Sequence, residues 1–181
     1  PKNQVIGTGT AIDSARLQNM IAQTVNVDPR SVHAYSMGEH GDSQMVPWST
    51  VTIAGKPFYD VIADNKELVG DVDLDELVYR TTQEGWEIFN RKGTTYYGIA
   101  TACVGVIKAI LNDENRIIPV STLLEGEYGE RNVYAGVPTV LNRSGAYDVL
   151  EIHMTPGELA RFKESTRVIR EYTDRIMKLN L

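Results

Sequence analysis

The order in which the hydrophobic pattern changes its period most limits the fold of this 181-residue chain. A short strand-like run at residues 4–10 ends in Gly7-Thr8-Gly9-Thr10. Leu17, Met20, Ile21 and Val25 then recur at helical spacing until Asp28-Pro29 stops them. Residues 32–37 and 46–53 read as strands, with a glycine-flanked turn at 38–42 between them. Gly55-Lys56-Pro57 reads as a hairpin turn before an apolar stretch at 58–62. A long helix is expected after Asp71, its inner stripe being Leu74, Leu77, Val78, Thr81, Gly85, Ile88 and Phe89, with Lys92-Gly93 at its end. A second begins near Tyr97 and carries Ile99, Cys103, Val106, Ile107 and Ile110. Strands are expected at 117–124 and 133–141, with Asn142-Arg143-Ser144-Gly145 turning the chain back into 146–153. Thr155-Pro156-Gly157-Glu158 is a helix start: a threonine cap, proline in the first turn and glutamate three residues after the cap. Leu159, Phe162, Ile169, Tyr172 and Ile176 line one face of that helix. Helix, strands, two helices, strands, helix is not a strict strand–helix alternation. The expected class is α+β, with a mainly antiparallel sheet and long helices, rather than a doubly wound fold.

No repeat, low-complexity tract or linker divides residues 1–181, which read as a single domain. The net charge of −6 argues against nucleic acid or an anionic membrane surface as the main partner, since both need a basic footprint. The longest apolar run, 99–111, is broken by Thr101, Gly105 and Lys108 and falls short of the roughly 20 residues that span a bilayer. Cys103 is alone, so it has no internal disulfide partner; its apolar neighbours suggest a buried thiol in a reducing compartment. The chain opens on Pro1 without an initiator methionine or signal peptide, which suggests a fragment of a longer protein.

Three local patterns could carry chemistry. Gly7-Thr8-Gly9 before a helix invites a dinucleotide reading, but Ile12 stands where the third glycine belongs. No strand ending in an acidic residue follows about 20 residues on, so a tight turn is the better reading. Asp13 and Arg16, three apart, share a helix face. They are either a surface pair near a helix end or, beside two glycines that permit close approach, a fork for a carboxylate or phosphate. His40 lies in a turn with glycines at 38 and 41. It is either a loop histidine without a role or an acid/base, because an imidazole exchanges protons in both directions near neutral pH. His33 alternates with apolar residues as a strand residue would, and His153 lies at a strand end. The three histidines and one cysteine lack metal-ligand spacing.

Taken together, three segments add a resemblance. Gly9-Thr10-Ala11-Ile12-Asp13-Ser14-Ala15-Arg16 resembles the D-x-x-R helix segment of the lactate/malate dehydrogenase family. The segment from His33 to Ser43, with Gly38-Glu39-His40-Gly41-Asp42 at its centre, resembles the catalytic histidine turn of that family. Lys92-Gly93-Thr94-Thr95-Tyr96-Tyr97-Gly98-Ile99 is similar to the segment beside the substrate and the nicotinamide. The resemblance covers essentially the whole chain. It implies the C-terminal, substrate-binding half of a two-domain, cytoplasmic, homotetrameric NAD-dependent enzyme of fermentation and glycolysis, acting on a small 2-keto or 2-hydroxy acid. The Rossmann domain that holds most of the NAD would be absent, and the piece alone would be inactive.

The resemblance further implies a role for each matching position. His40 would be the proton donor and acceptor, Asp13 its holder, and Arg16 the grip on the substrate carboxylate. Thr95 would lie near the reacting carbon, Ile99 against the nicotinamide and Thr8 near its carboxamide. Threonine at 95 and isoleucine at 99 favour the lactate branch over the malate branch, where alanine and proline are usual. Gln18 and Ser43-Gln44 are similar to hydroxyisocaproate dehydrogenases, which keeps a bulkier keto acid open. Bacterial members activated by fructose 1,6-bisphosphate carry arginine at the position of Gln18, so such activation is expected to be weak or absent here. A noncatalytic oligomerisation module is the alternative of another class; retention of Asp13, Arg16, His40 and Thr95 argues against it.

Overall fold

The computed structural model describes residues 1–179. The first helix, α1 (Ala11–Val25), ends at Asn26 in the left-handed conformation and buries Leu17, Met20 and Ile21 together with Asp13 and Ser14. Three two-residue strands follow: β1 (Val32–His33), β2 (Thr52–Ile53) and β3 (Lys56–Pro57), paired antiparallel in that order. They are much shorter than the expected strands at 32–37 and 46–53. Pro47 has no N–H to give a sheet, and Trp48–Thr50 winds into a 3₁₀ turn in which Thr50 Oγ1 donates to the Pro47 carbonyl at 2.8 Å. The apolar stretch after Pro57 is helical, as α2 (Phe58–Asp64), followed by the short α3 (Lys66–Val69).

Helix α4 (Leu74–Lys92) begins at Asp73, whose carboxylate accepts from the N–H groups of Asp75 and Glu76, and ends at Gly93 with φ 75°. Helix α5 (Tyr96–Leu111) leads into the larger sheet of β4 (Arg116–Glu125), β5 (Arg131–Asn142) and β6 (Gly145–Val149), a wholly antiparallel meander. Helix α6 (Pro156–Lys178) closes the described chain. The α+β class with antiparallel sheets and long helices is therefore as the sequence indicated.

Three apolar clusters organise these pieces. Leu17 and Ile21 of α1 pack with Trp48, Phe58 and Leu77. Val137 and Leu124 of the large sheet pack with Met37, Met45 and Phe162 of α6. Val106 and Ala109 of α5 pack on Val120 and Leu141. Some expected core residues lie outside them. Phe89, Ile107, Tyr172 and Ile176 are exposed, and Cys103 is only partly buried, because α4, α5 and α6 each bury a narrower stripe than their apolar content offers.

The strand-like run at 4–10 is a 3₁₀ turn, Lys2–Gln4, followed by a single bridge between Gly7 and Ser121 of β4. Gly9 has φ +52°, and a Cβ there would lie 2.8 Å from the Val120 carbonyl carbon. The two glycines serve the close approach of this turn to β4.

Candidate active site

Helix α1 and the turn after β1 build the site together. Ser14 Oγ accepts the Ser36 N–H at 2.9 Å, and the Gln18 amide donates to the Ala34 carbonyl at 3.0 Å. These bonds fix the incoming chain against α1. Gln18 is thus used internally. Met37 and Met45 then exchange two backbone hydrogen bonds, and Gly38 exchanges two with Gly136 of β5. The turn from Glu39 to Gln44 is held at its base by one sheet edge and two methionines.

At the tip, the His40 Nδ1–H donates to Asp13 Oδ2 at 2.6 Å. Asp13 is buried, its side chain 3% exposed, and its other oxygen faces Arg16 Nη1 at 3.4 Å. Burying a lone carboxylate is costly, so its two partners are what make the position tenable. The His40 imidazole is raised above its ordinary pKa. The Asp13 hydrogen bond is the largest cause and outweighs burial, with smaller charge effects from Asp13, Arg16 and Glu39, of which only Arg16 opposes the rise. Among the described residues, its Nε2 has no hydrogen-bond partner. The Arg16 guanidinium lies along α4 at Gly85, where a Cβ would stand 3.2 Å from Nη1.

These groups border a cavity of about 660 Å³. Ile12, Asp13 and Arg16 come from α1, and Glu39, His40, Asp42 and Gln44 from the turn. Thr82, Gly85, Trp86 and Phe89 come from α4, and Thr95 and Ile99 from the start of α5. The volume lies within the range of small-molecule sites, roughly 300–1,000 Å³.

Of the residues singled out in the sequence, Asp13, Arg16, His40, Thr95 and Ile99 meet here. Thr8 does not line the cavity; it precedes α1, and its carbonyl accepts the Ala11 N–H at 3.1 Å. His33 and His153 are exposed elsewhere, and among the described residues no group of acidic, histidine or cysteine side chains is placed to hold a metal ion. Sequence reasoning missed Thr82, Trp86 and Phe89 as cavity residues. Trp86 and Phe89 meet edge to face with centroids 6.1 Å apart, and both remain largely exposed. Gln44 is buried, accepting from Ser36 Oγ at 2.9 Å and donating to Thr82 Oγ1 at 2.6 Å. Two aromatics three apart on a helix were the available signal, but Phe89 fitted the core stripe equally well.

The family described as lactate/malate dehydrogenase, alpha/beta C-terminal domain, matches residues 10–179. The chain belongs to that family. This lactate/malate dehydrogenase C-terminal domain is 49% identical over 172 residues to L-lactate dehydrogenase 3 of Bacillus cereus, covering 95% of this chain and 54% of the relative. It is 45% identical over 177 residues to L-lactate dehydrogenase 1 of Bifidobacterium longum, covering 98% and 56%. Among solved structures, it is similar to the minor L-lactate dehydrogenase of Enterococcus mundtii in its ligands-bound form. That match has a TM-score of 0.91 at 39% identity and covers 97% of this chain and 56% of the other. A lactate dehydrogenase enzyme from a Medee basin deep-sea metagenome library matches with a TM-score of 0.92 at 40% identity, covering 96% and 55%. The domain thus spans about half the length of the relatives it matches.

Proposed function

We propose that this chain supplies the proton-transferring and substrate-anchoring half of an NAD-dependent L-lactate dehydrogenase, with pyruvate as its keto acid. The observation that carries this is the triad of one buried carboxylate, one imidazole and one guanidinium around a single cavity. In the reading favoured here, Arg16 receives the substrate carboxylate as a two-pronged fork, which orients the keto carbon. His40 Nε2–H then points at the keto oxygen and gives up its proton as that oxygen gains charge. Asp13 fixes which ring nitrogen bears the other proton and stabilises the imidazolium before transfer. Thr95 borders the same cavity and would lie beside the reacting carbon.

The residues fit only the reactive end of NAD. Ile12 and Ile99 give an apolar wall suited to a flat nicotinamide ring, while the Gly7–Gly9 turn is occupied by β4 and offers no cradle for the phosphates. Bound there, the reduced cofactor would supply the hydride that the keto carbon takes up. Thr8 is kept as a neighbour of the carboxamide, reached from outside the cavity lining. The rest of the cofactor would be held by the other half of the protein.

The raised pKa sets the sign of the pH dependence. Pyruvate reduction needs the imidazolium, so it falls as pH rises through the His40 pKa above 6.5; lactate oxidation needs the neutral ring and falls as pH drops through it. The test is a panel of keto acids, from pyruvate to ketoisocaproate with oxaloacetate included, run on the full-length protein and two variants. Pyruvate should give the highest kcat/KM. His40→Ala should lose about 10²–10⁴ in kcat, and Arg16→Lys should chiefly raise KM. A His40→Ala protein that reduces pyruvate at the parent rate overturns the reading.

A further inference from the structure

The turn that carries His40 is also tied to α6, through hydroxyls with no place in the chemistry above. Ser165 sits in mid-helix and is fully buried. Its Oγ accepts the Glu39 N–H at 2.8 Å and lies 3.2 Å from Ser43 Oγ. Ser43 Oγ in turn donates to Glu39 Oε2, and the Ser43 N–H reaches the same oxygen at 3.2 Å.

The chemistry of the end groups orders the protons. A backbone N–H can only donate, and a carboxylate can only accept. Ser165 therefore accepts from Glu39 N–H and donates to Ser43, and Ser43 donates to the Glu39 carboxylate. The chain of bonds leaves Glu39 by its backbone and returns by its side chain. Gly38, with φ +90°, is part of the same fit: a Cβ there would stand 2.8 Å from Ser165 Cβ and closer still to its Oγ. The helix thus lies directly against the turn, and glycine is the residue that lets it. A buried hydroxyl without partners would be costly, so the ring also accounts for a serine on the apolar side of α6 beside Phe162.

We propose that Ser165 and Ser43 are positioning residues for His40: their ring with Glu39 locks the residue next to the imidazole and keeps the ring in register with Asp13. This rests on the reading of His40 as proton donor. The charged groups around the imidazole are Asp13 and Arg16 of α1 and Glu39 and Asp42 of the turn; α4 and α5 present only uncharged residues to the cavity. Releasing the Glu39 carboxylate to solvent weakens one of the fields that favour the imidazolium.

The test uses the full-length protein with Ser165→Ala, Ser43→Ala, the double variant and His40→Ala, assayed with pyruvate and NADH well below thermal unfolding. Each single variant should lose about tenfold in kcat, since misplacement by a fraction of an ångström is enough for that. KM for pyruvate should stay within about twofold, because Arg16 is outside the ring. The alkaline limb of the pH profile should move to lower pH. The double variant should be no worse than the worse single, because either change opens the same ring. A folded Ser165→Ala or Ser43→Ala protein with parental kcat and pH profile overturns the proposal, even if its Tm falls, as do losses that multiply in the double. If Ser165→Ala does not fold, Ser43→Ala in the half-buried turn decides alone. Activity surviving in His40→Ala would instead sink the reading of the site itself.

Discussion

At the scale of single residues, the site turns on Asp13 serving two neighbours. Its position was legible in the sequence as a helical i, i+3 pair with Arg16, and the glycines around His40 marked an open turn. Only the family resemblance implied that His40, 27 positions later, would come to lie over that pair; local pattern could not show it. Nor could it show Gly85, which read simply as part of a core stripe. In the structure it is the surface on which the Arg16 guanidinium rests. Gly85→Ala would put a methyl 3.2 Å from Nη1, so the guanidinium must give by a few tenths of an ångström while Asp13 holds its other side. The expected outcome in full-length protein is a rise of about 3–10-fold in KM for pyruvate with a smaller change in kcat, the signature of disturbed anchoring. Steady-state kinetics check it; an unchanged KM would mean that Arg16 is free to move without loss.

Among the elements, α6 was the most legible and the segment 46–53 the least. The start of α6 is written locally: Thr155 Oγ1 accepts the Glu158 N–H, and the Glu158 carboxylate accepts the Thr155 N–H at 2.8 Å. The segment 46–53 carries strand-forming residues, yet its conformation was decided by Pro47 and by packing of Trp48 on Phe58, with ring centroids 5.8 Å apart. Tertiary contacts of that kind override local preference. The two segments meet, since Ser49 donates to Glu158 through both its N–H, at 2.9 Å, and its hydroxyl, at 2.6 Å. Burial works to raise the Glu158 pKa, but the bonds from Ser49 and Thr155 outweigh it and the net shift is downward. A carboxylate lowered in the folded state adds stability above its ordinary range of about 4.5, and that stability is lost as pH falls through the folded value. Thr155→Ala should therefore cost about 1 kcal/mol at neutral pH. Glu158→Gln should lower Tm more at pH 7 than at pH 3. Thermal melts at the two pH values check both, and an equal loss at both would remove Glu158 from the acid response.

On the scale of the whole molecule, the legible part was the class of fold and most of the residues that gather around the cavity; the missing part was how little of its apolar surface the domain itself would cover. Trp86 and Phe89 remain open beside the cavity, and Val104, Ile107 and Leu111 along α5. With the phosphate-cradling elements of a dinucleotide site not found among the described residues, the 181-residue piece alone is expected to show no NADH oxidation with pyruvate, whereas the full-length protein should. Measurable turnover by the purified piece would contradict that. The division of the cavity has a further effect. In the proposed chemistry, proton transfer and carboxylate anchoring would share the one buried oxygen pair of Asp13 on α1, so neither could drift without disturbing the other. Among the described residues, Thr82, Trp86 and Phe89 of α4 make no hydrogen bond to that pair. Over evolutionary time, a chain built in this way could change which side chain it admits by substitutions at those three positions, while the proposed chemistry stays fixed on α1 and the His40 turn.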